Sequence, residues 1–339
     1  MAENLFEQQA SNRRKSWWLV AAFILFFAWL GFGGDYILWE YTRYGPAGQY
    51  QHRFPFGGIA LSLIAWGLVT YIRRTGSAKV LWSTGARELT EPTSDEERRL
   101  VNVVEEMAIA SGTTRPRIYL IDDPDPNAFV TGTDASQPHL AVTTGLIAML
   151  DRDELQAVVG HEMGHVKNLD MQLMTLMAGL AGAVALIADG LGRTLRFGRL
   201  GGRGGSRDGG KGGNPVLLVL LVLWLISWLL APLITKLLAL GISRKREYLA
   251  DAMSAQFTRN PLTLAQALDK IEKVGAPTKT IKAGVAHLCI ADPLGHRSGA
   301  ASSFLGGAFA THPPMSMRVA RLKAMAFQAQ KAGGDLPPQ

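Results

Sequence analysis

The sequence has little cysteine and little charge. Its 339 residues include one cysteine, Cys289, which excludes an intramolecular disulfide and a zinc site built from several cysteines. A single cysteine fits a soluble part that faces a reducing compartment. Charged residues make up 19% of the chain, whereas hydrophobic residues make up 47% and are concentrated in long runs. This distribution argues against two ordinary soluble domains and favours a chain that lies partly in a membrane.

Two apolar runs near the N-terminus predict a membrane hairpin. The first, from Trp17 to Gly34, carries no charge, and at about 1.5 Å per helical residue it crosses most of a hydrocarbon core of roughly 30 Å. The second runs from Phe54 to Ile72 and ends at a pair of arginines. Four aromatic side chains flank the first run as interfacial anchors: Trp17, Trp18, Tyr36 and Trp39.

The distribution of basic residues predicts the orientation of this hairpin. Basic residues precede the first run at 13–15 and follow the second at 73–74, although Arg43 and Arg53 lie in the link between them. By the positive-inside rule, both ends of the hairpin are expected to be cytoplasmic. The first run is too long for the apolar part of a cleavable signal, so we expect it to remain as an anchor. Residues 1–16 are polar and are expected to be disordered.

A second pair of apolar segments follows in the middle of the chain. Met171 to Gly190 is weakly apolar and Val216 to Ile242 is strongly apolar. A glycine-rich loop with six basic residues, Arg193 to Gly213, separates them. The sequence therefore predicts about four transmembrane or membrane-embedded helices in all.

The remaining segments are polar enough to be soluble. Asp95 to Ala110 has the apolar spacing of an amphipathic helix, and residues 243–339 are mostly helical in pattern. Three short strands are predicted, at Arg117–Ile121, Asn127–Thr131 and His139–Thr143. The expected fold is therefore mainly α with a small β-sheet.

The most informative stretch of the chain contains His161-Glu162-Met163-Gly164-His165. Two histidines four residues apart project from one face of a helix, about 40° apart around its axis, and can bind one zinc ion. Glu162 points in another direction and is suited to act as general base on a water molecule at the metal. The alternative is a surface helix with two solvated histidines.

The sequence around this motif favours a helix packed closely against another. Asp151 followed by Glu154 forms a plausible capping box at the helix N-terminus. Gly160 and Gly164 leave room for a neighbouring backbone.

A peptidase zinc needs a third protein ligand and an open position. Glu247, in Ser243–Asp251, is the candidate, and Asp251 four residues later is placed to accept a hydrogen bond from a ligand histidine. Taken alone, Glu247 is better explained as a solvated glutamate in a basic helix.

The order of these elements resembles that of a known family. An N-terminal hairpin is followed by His-Glu-x-x-His and Val166–Asp170, then by a second apolar hairpin and Ser-Arg-x-x-Glu-Tyr-x-Ala-Asp. This order is similar to the membrane gluzincin metallopeptidases, and most similar to the HtpX-type heat-shock peptidases. The resemblance implies a gluzincin fold, one Zn²⁺ per chain held by His161, His165 and Glu247, and endopeptidase activity on misfolded or damaged membrane proteins.

The resemblance also divides the chain into four parts. These are a membrane hairpin at 1–78, a first half of the peptidase domain at 79–170, a second hairpin at 171–242 and a second half of the peptidase domain at 243–339. The basic loop at 193–213 departs from the family pattern. Because the three ligands meet at one ion, the segment 171–242 crosses the membrane twice or not at all; the strongly apolar Val216–Ile242 favours two crossings.

Two further sites follow from the resemblance. His312, before two prolines, is expected to hydrogen-bond the oxyanion of the tetrahedral intermediate, unless it is an ordinary loop histidine. Arg318 is expected either to serve the same end or to pair with a carboxylate. The segment Asn127-Ala128-Phe129 resembles the edge strand that pairs with an extended substrate. The alternative is an ordinary sheet edge with no role in substrate binding.

The sequence thus predicts a zinc endopeptidase of the cytoplasmic membrane, with its peptidase domain facing the cytoplasm. Its expected partners are protein or peptide substrates and the lipid bilayer. One alternative is a non-catalytic scaffold stabilised by zinc, which the presence of Glu162 disfavours. Another is a nucleic-acid tether through the arginine-glycine loop; contact of that loop with anionic lipid is preferred, and no specific nucleic acid is expected.

Overall fold

The structure, a computed structural model, describes residues 5–43, 48–183, 244–274, 280–281, 285–291 and 313–331. Within these ranges the chain is mainly helical. The helices are α1 (Leu5–Thr42), α2 (Phe56–Ser83), α3 (Asp95–Ser111), α4 (Thr144–Met149), α5 (Arg152–Lys167), α6 (170–183), α7 (Arg244–Thr258), α8 (Pro261–Val274) and α9 (Met315–Lys331), with a 3₁₀ turn at Ala286–Leu288.

Four strands form one small mixed sheet. They are β1 (Arg87–Glu88), β2 (Arg117–Ile121), β3 (Ala128–Thr131) and β4 (His139–Thr143), in the order β1-β2-β4-β3. The pair β2–β4 is parallel, and the outer pairs are antiparallel. The predicted fold class, mainly α with a small sheet, is confirmed, and β3 lies at one edge of the sheet.

The chain divides into two compact units. One contains residues 1–16, 74–179 and 239–339, and the other contains residues 17–73 and 180–238. The first unit holds the sheet, helices α3 to α5 and helices α7 to α9. The four-part division expected from the sequence remains a prediction.

The second unit contains most of the two helices that the apolar runs predicted. Helix α1 over Glu7–Thr42 and helix α2 over Phe56–Ser83 are both long enough and apolar enough to cross a membrane. Asp35 of α1 accepts hydrogen bonds from the N–H groups of Gly57 and Gly58, at 3.1 and 2.6 Å, and so caps α2. These are the two candidate spans among the described residues; Val216–Ile242 lies outside them, and so does the end of Met171–Gly190.

The expectation that residues 1–16 are disordered is wrong for the part that the structure describes. Helix α1 begins at Leu5, so residues 5–16 are helical. Asn12 is buried, with 1% of its surface exposed, and its side chain hydrogen-bonds to Asn168 and Asp170. The polar composition was misleading because these side chains find buried partners in the folded chain rather than water.

Helix α5 lies at the centre of the first unit. Its N-terminus carries the predicted capping box: Asp151 accepts from the Glu154 N–H at 2.9 Å, and Glu154 accepts from the Asp151 N–H at 3.1 Å. Apolar side chains of α5 such as Leu155, Val158 and Met163 are fully buried in the main hydrophobic core. The helix is therefore fixed at its start and packed along its length.

The two glycines of α5 allow helix α7 to approach closely, as the sequence predicted. A Cβ atom at Gly164 would lie 3.1 Å from the Cα of Ala250, and one at Gly160 would lie 3.2 Å from the Oγ of Ser254. The close contact at Gly164 is harder to relieve than the one at Gly160, because it involves the Ala250 backbone rather than the end of a side chain. A side chain at position 164 must therefore push α7 away from α5.

We expect Gly164→Ala to lower the stability of the protein. Alanine normally favours a helix over glycine by about 1 kcal/mol, but overpacking against α7 costs about 1–3 kcal/mol. The net effect should be a lower thermal unfolding midpoint for the full chain in detergent. Gly67→Ala in α2 is the matched control, since no described atom lies within 4 Å of its Cβ position. A midpoint for Gly164→Ala at or above that of the wild type contradicts this account.

Candidate metal centre

Two histidines and a carboxylate from two different helices meet in the first unit. His161 and His165 project from one face of α5, and Glu247 comes from the first turn of α7. The Nε2 atom of His161 lies 3.7 Å from one carboxylate oxygen of Glu247, and that of His165 lies 3.6 Å from the other. One donor atom from each residue can be chosen so that all three lie within 4.8 Å of one another.

This donor set fits a single divalent ion. Two imidazole nitrogens and one carboxylate oxygen are the ligands of many catalytic zinc sites, with metal–ligand distances of about 2.0–2.2 Å. Tetrahedral geometry at those distances separates neighbouring donors by roughly 3.3–3.5 Å. The 3.6 and 3.7 Å contacts involve different oxygens of Glu247, and one donor from each residue lies within 4.8 Å of the others, so the three side chains must draw closer to hold an ion.

Each histidine is held at its other ring nitrogen by a carboxylate. The Nδ1 atom of His161 lies 2.9 Å from Asp251, and that of His165 lies 3.2 Å from Asp170. Such contacts select the tautomer that leaves Nε2 as the acceptor and fix the plane of the ring. Both Nε2 atoms are thereby directed towards Glu247.

Of these two carboxylates, the sequence assigned a role to Asp251 alone. Asp170 is fully buried at the start of α6, five residues after His165. The available signal was an acidic residue shortly after the metal-binding helix. It was not decisive, because that spacing does not show which way the chain turns after α5.

Arg318 holds the Asp251 side of the site. It is fully buried on α9, and its guanidinium donates to both oxygens of Asp251, at 2.6 and 3.0 Å. The same group lies 3.4 Å from both ring nitrogens of His161 and 3.6 Å from Glu247. Of the two roles considered for Arg318, pairing with a carboxylate is the one that the contacts support.

Burial and nearby charge act differently on the two histidines. Burial lowers the pKa of His161, and the charge of Arg318 lowers it further. Burial also tends to lower the pKa of His165, but the hydrogen bond with Asp170 and the charge of Glu247 prevail and raise it to about 9. Binding of a metal ion at Nε2 requires the neutral ring, so a raised pKa of His165 links metal binding to the loss of a proton.

Glu162 lies beside these ligands and is also buried, with 1% of its surface exposed. Among the described residues, neither of its carboxylate oxygens makes a hydrogen bond of standard geometry, although the Val130 backbone lies near enough to act on the carboxylate. Burial raises the pKa of Glu162 to about 7, although the charge of His165 and the Val130 backbone oppose this shift. A carboxylate with a pKa near neutrality is suited to both accepting and releasing a proton.

The remaining predicted site residues are His312 and the segment 127–129. His312 lies outside the described residues. Asn127 and Ala128 lie at the start of the edge strand β3, where the Ala128 carbonyl accepts from the Ile290 N–H at 3.0 Å and the Asn127 side chain donates to the Ala291 carbonyl at 3.1 Å. Phe129 is fully buried and pairs with Ala141 of β4. Substrate pairing at this edge remains a prediction.

A metal ion held next to a buried carboxylate is suited to hydrolysis, and comparison with known proteins shows that this chain is a metallopeptidase. The pattern of peptidase family M48 matches residues 94–326. The chain belongs to peptidase family M48. Together with its two apolar helices, this makes it a membrane-associated protease that acts on proteins or peptides.

Several relatives match nearly the whole chain. A protein from Dictyoglomus turgidum described as "Protease HtpX homolog" is 36% identical over 320 residues, which is 94% of each chain. A protein of the same description from Caldanaerobacter subterraneus subsp. tengcongensis is 36% identical over 323 residues, 95% of this chain and 98% of its own. One from Streptococcus pneumoniae Taiwan19F-14 is 37% identical over 322 residues, 95% of this chain and 100% of its own. The resemblance to HtpX-type peptidases is thereby confirmed.

Among solved structures, the "Crystal Structure of S. mikatae Ste24p" aligns with 94% of this chain and 67% of that one. The sequence identity is 17% and the TM-score is 0.46.

We expect Asp251→Asn to weaken zinc binding without abolishing it. The substitution keeps the shape of the side chain but removes the charge that faces His161 and Arg318. Losses at such supporting positions typically reduce metal affinity about 10- to 100-fold. Competition with a chromophoric chelator measures the affinity, and Asp153→Asn on the exposed side of α5 is the matched control. Equal zinc affinity in the wild type and Asp251→Asn would argue against a supporting role for Asp251.

Proposed function

We propose that this protein is a zinc endopeptidase anchored in the cytoplasmic membrane. In this proposal His161, His165 and Glu247 hold one Zn²⁺ and Glu162 is the general base. The observation that supports it most directly is the meeting of these three donor side chains beside a buried carboxylate. Two imidazoles and one carboxylate leave a coordination position open, as a hydrolytic zinc site requires.

The proposed reaction is hydrolysis of a peptide bond. When bound, zinc polarises the scissile carbonyl and lowers the pKa of the attacking water. Glu162 takes a proton from that water and later delivers it to the leaving amine, a role suited to a carboxylate whose pKa is raised by burial. On the sequence resemblance alone, His312 is proposed to donate a hydrogen bond to the oxyanion.

The proposed substrates are misfolded or damaged membrane proteins. An enzyme of quality control must accept many sequences, and pairing with main-chain groups at a sheet edge provides this tolerance. Strand β3 lies at the edge of its sheet and starts at the proposed substrate-binding segment 127–129. Because the Ala128 carbonyl is already bonded to Ile290, a substrate strand that pairs there must replace this bond.

A zinc-stabilised scaffold without catalysis is the alternative. The burial of Glu162 disfavours it, because burying a carboxylate that makes no hydrogen bond of standard geometry is costly and a structural zinc site has no need of a base. A scaffold would gain stability from an apolar side chain at this position. The buried carboxylate is better explained by a role in proton transfer.

Replacement of the proposed base distinguishes the two alternatives. Glu162→Gln should retain one zinc per chain but lose at least about 100-fold in the rate of casein cleavage, since the ligands remain and the proton acceptor is gone. Metal analysis and the cleavage assay are made on the same samples. Glu272→Gln, at an exposed position of α8, should leave both unchanged. Near wild-type cleavage by Glu162→Gln would exclude the assigned role.

Glu247→Ala should lose both zinc and cleavage, because two histidines alone leave the ion under-coordinated.

The proposed orientation places the link between α1 and α2 outside the cell and the metal centre inside. In a Cys289→Ala background, Tyr50→Cys should react with an impermeant maleimide in intact cells. Ile109→Cys on α3 should react only after the membrane is opened. Both positions are well exposed in their own units, at 71% and 83%. Labelling of Ile109→Cys in intact cells would show that the metal centre faces outwards.

A further inference from the structure

The polar segment that precedes the first apolar run closes the end of the metal-binding helix. Gln9 and Asn12, three residues apart on one face of α1, both donate hydrogen bonds there. The Gln9 amide donates to the Lys167 carbonyl at 2.6 Å, and the Asn12 amide donates to the Asn168 carbonyl at 2.9 Å. The last carbonyls of a helix have no partners within the helix, so these bonds satisfy groups at the C-terminal end of α5.

The turn that these bonds hold has an unusual backbone. Leu169, between α5 and α6, has a φ of 61°, which is an uncommon and strained conformation for a leucine. Asn168 is fully buried beside it. After this turn an oxygen of Asp170 lies 3.2 Å from the Nδ1 atom of His165. A strained turn of this kind needs support from its surroundings, and Asn12 supplies part of it.

Asn12 also reaches the carboxylate of Asp170 itself. Its amide nitrogen lies 2.7 Å from one oxygen of Asp170, and the other oxygen lies 3.2 Å from the Nδ1 atom of His165. The guanidinium group of Arg246 lies 3.7 Å from the same Asp170 oxygen that Asn12 contacts. A line of contacts therefore runs from Asn12 through Asp170 to His165.

The chemistry of the partners explains why an asparagine is suited to this position. Both groups that it contacts, a carboxylate and a carbonyl, only accept hydrogen bonds. A single amide NH₂ group satisfies both with its two protons. An aspartate at position 12 would instead place a second charge against Asp170, in a site where Asn12 is 1% exposed.

We propose that Asn12 is a positioning residue of the metal centre, which fixes Asp170 and through it the orientation of the His165 ring. This proposal rests on the proposed function, because it takes His165 to be a zinc ligand. Asn12 lies before the first apolar run, far in sequence from the metal ligands, and would help to position one of them. The Asn12 amide donates to Asn168 and Asp170, neither of which is a proposed metal ligand.

The test compares Asn12→Ala with Gln9→Ala in the full-length chain. Both variants lose one bond to the end of α5, but only Asn12→Ala loses the contact with Asp170. Asn12→Ala should weaken zinc binding about 10-fold, as losses of supporting contacts do, and should alter the visible spectrum of the Co²⁺-substituted protein. Gln9→Ala should stay within about twofold of the wild type and keep its spectrum.

A double-mutant comparison separates positioning from a general effect on stability. If Asn12 acts through Asp170, Asn12→Ala should weaken zinc binding no further in an Asp170→Ala background. Thermal unfolding of the same variants shows whether their unfolding midpoints rank differently from their zinc affinities. If Asn12→Ala does not fold, Asn12→Ser replaces it, since the shorter hydroxyl cannot bridge the two acceptors.

The outcomes are distinct. Equal effects of Asn12→Ala and Gln9→Ala on zinc affinity, or full additivity with Asp170→Ala, would overturn the proposal while leaving the zinc site intact. Absence of zinc binding by the wild type would overturn the proposed function and this proposal together. A selective, non-additive loss with a changed Co²⁺ spectrum supports it.

Discussion

The close packing of α5 against α7 is the constraint on which the site depends. His161 and His165 lie on one helix and Glu247 on the other, so the donors meet only if the two backbones approach closely. Gly164 allows this, because a side chain there would meet the Ala250 backbone. The glycine inside the motif therefore serves the geometry of the metal centre, although it has no chemical role of its own.

Around the metal-binding side chains, buried polar groups contact one another in sequence. Asp251 and Asp170 each hold one histidine, and each is held in turn by a donor from a distant part of the chain, Arg318 and Asn12 respectively. Buried charges are tolerated only when they are paired and hydrogen-bonded. Removing one member leaves its partner uncompensated, so the site is sensitive to substitution. Glu162 and Arg246 are exceptions, since among the described residues their charged groups make no hydrogen bond of standard geometry; for Glu162 this fits a group whose role is to exchange a proton.

Local patterns in the sequence were sufficient to predict those features that depend on residues close together in the chain. The capping box at Asp151, the three strands and the apolar runs of α1 and α2 depend on neighbours a few residues away or on length and hydropathy. The spacing of His161 and His165 required the same reasoning, since helical geometry alone puts them on one face. Residues 5–16 were misjudged for the opposite reason: their polar side chains are ordered by partners more than 150 residues away.

The sequence by itself determined the chemistry of this protein: which helix carries two histidines, which glutamate lies beside them, and which segments are apolar enough for a membrane. The resemblance to a family singled out Glu247 among the acidic residues, but no spacing rule joins it to α5. Tertiary structure alone decided that Asp170 turns back to His165, that Arg318 pairs with Asp251, and that Asn12 reaches across to Asp170. The physical reason is that hydrogen bonds and ion pairs act over about 3 Å of space, whatever the separation along the chain, and only the packed fold fixes that distance.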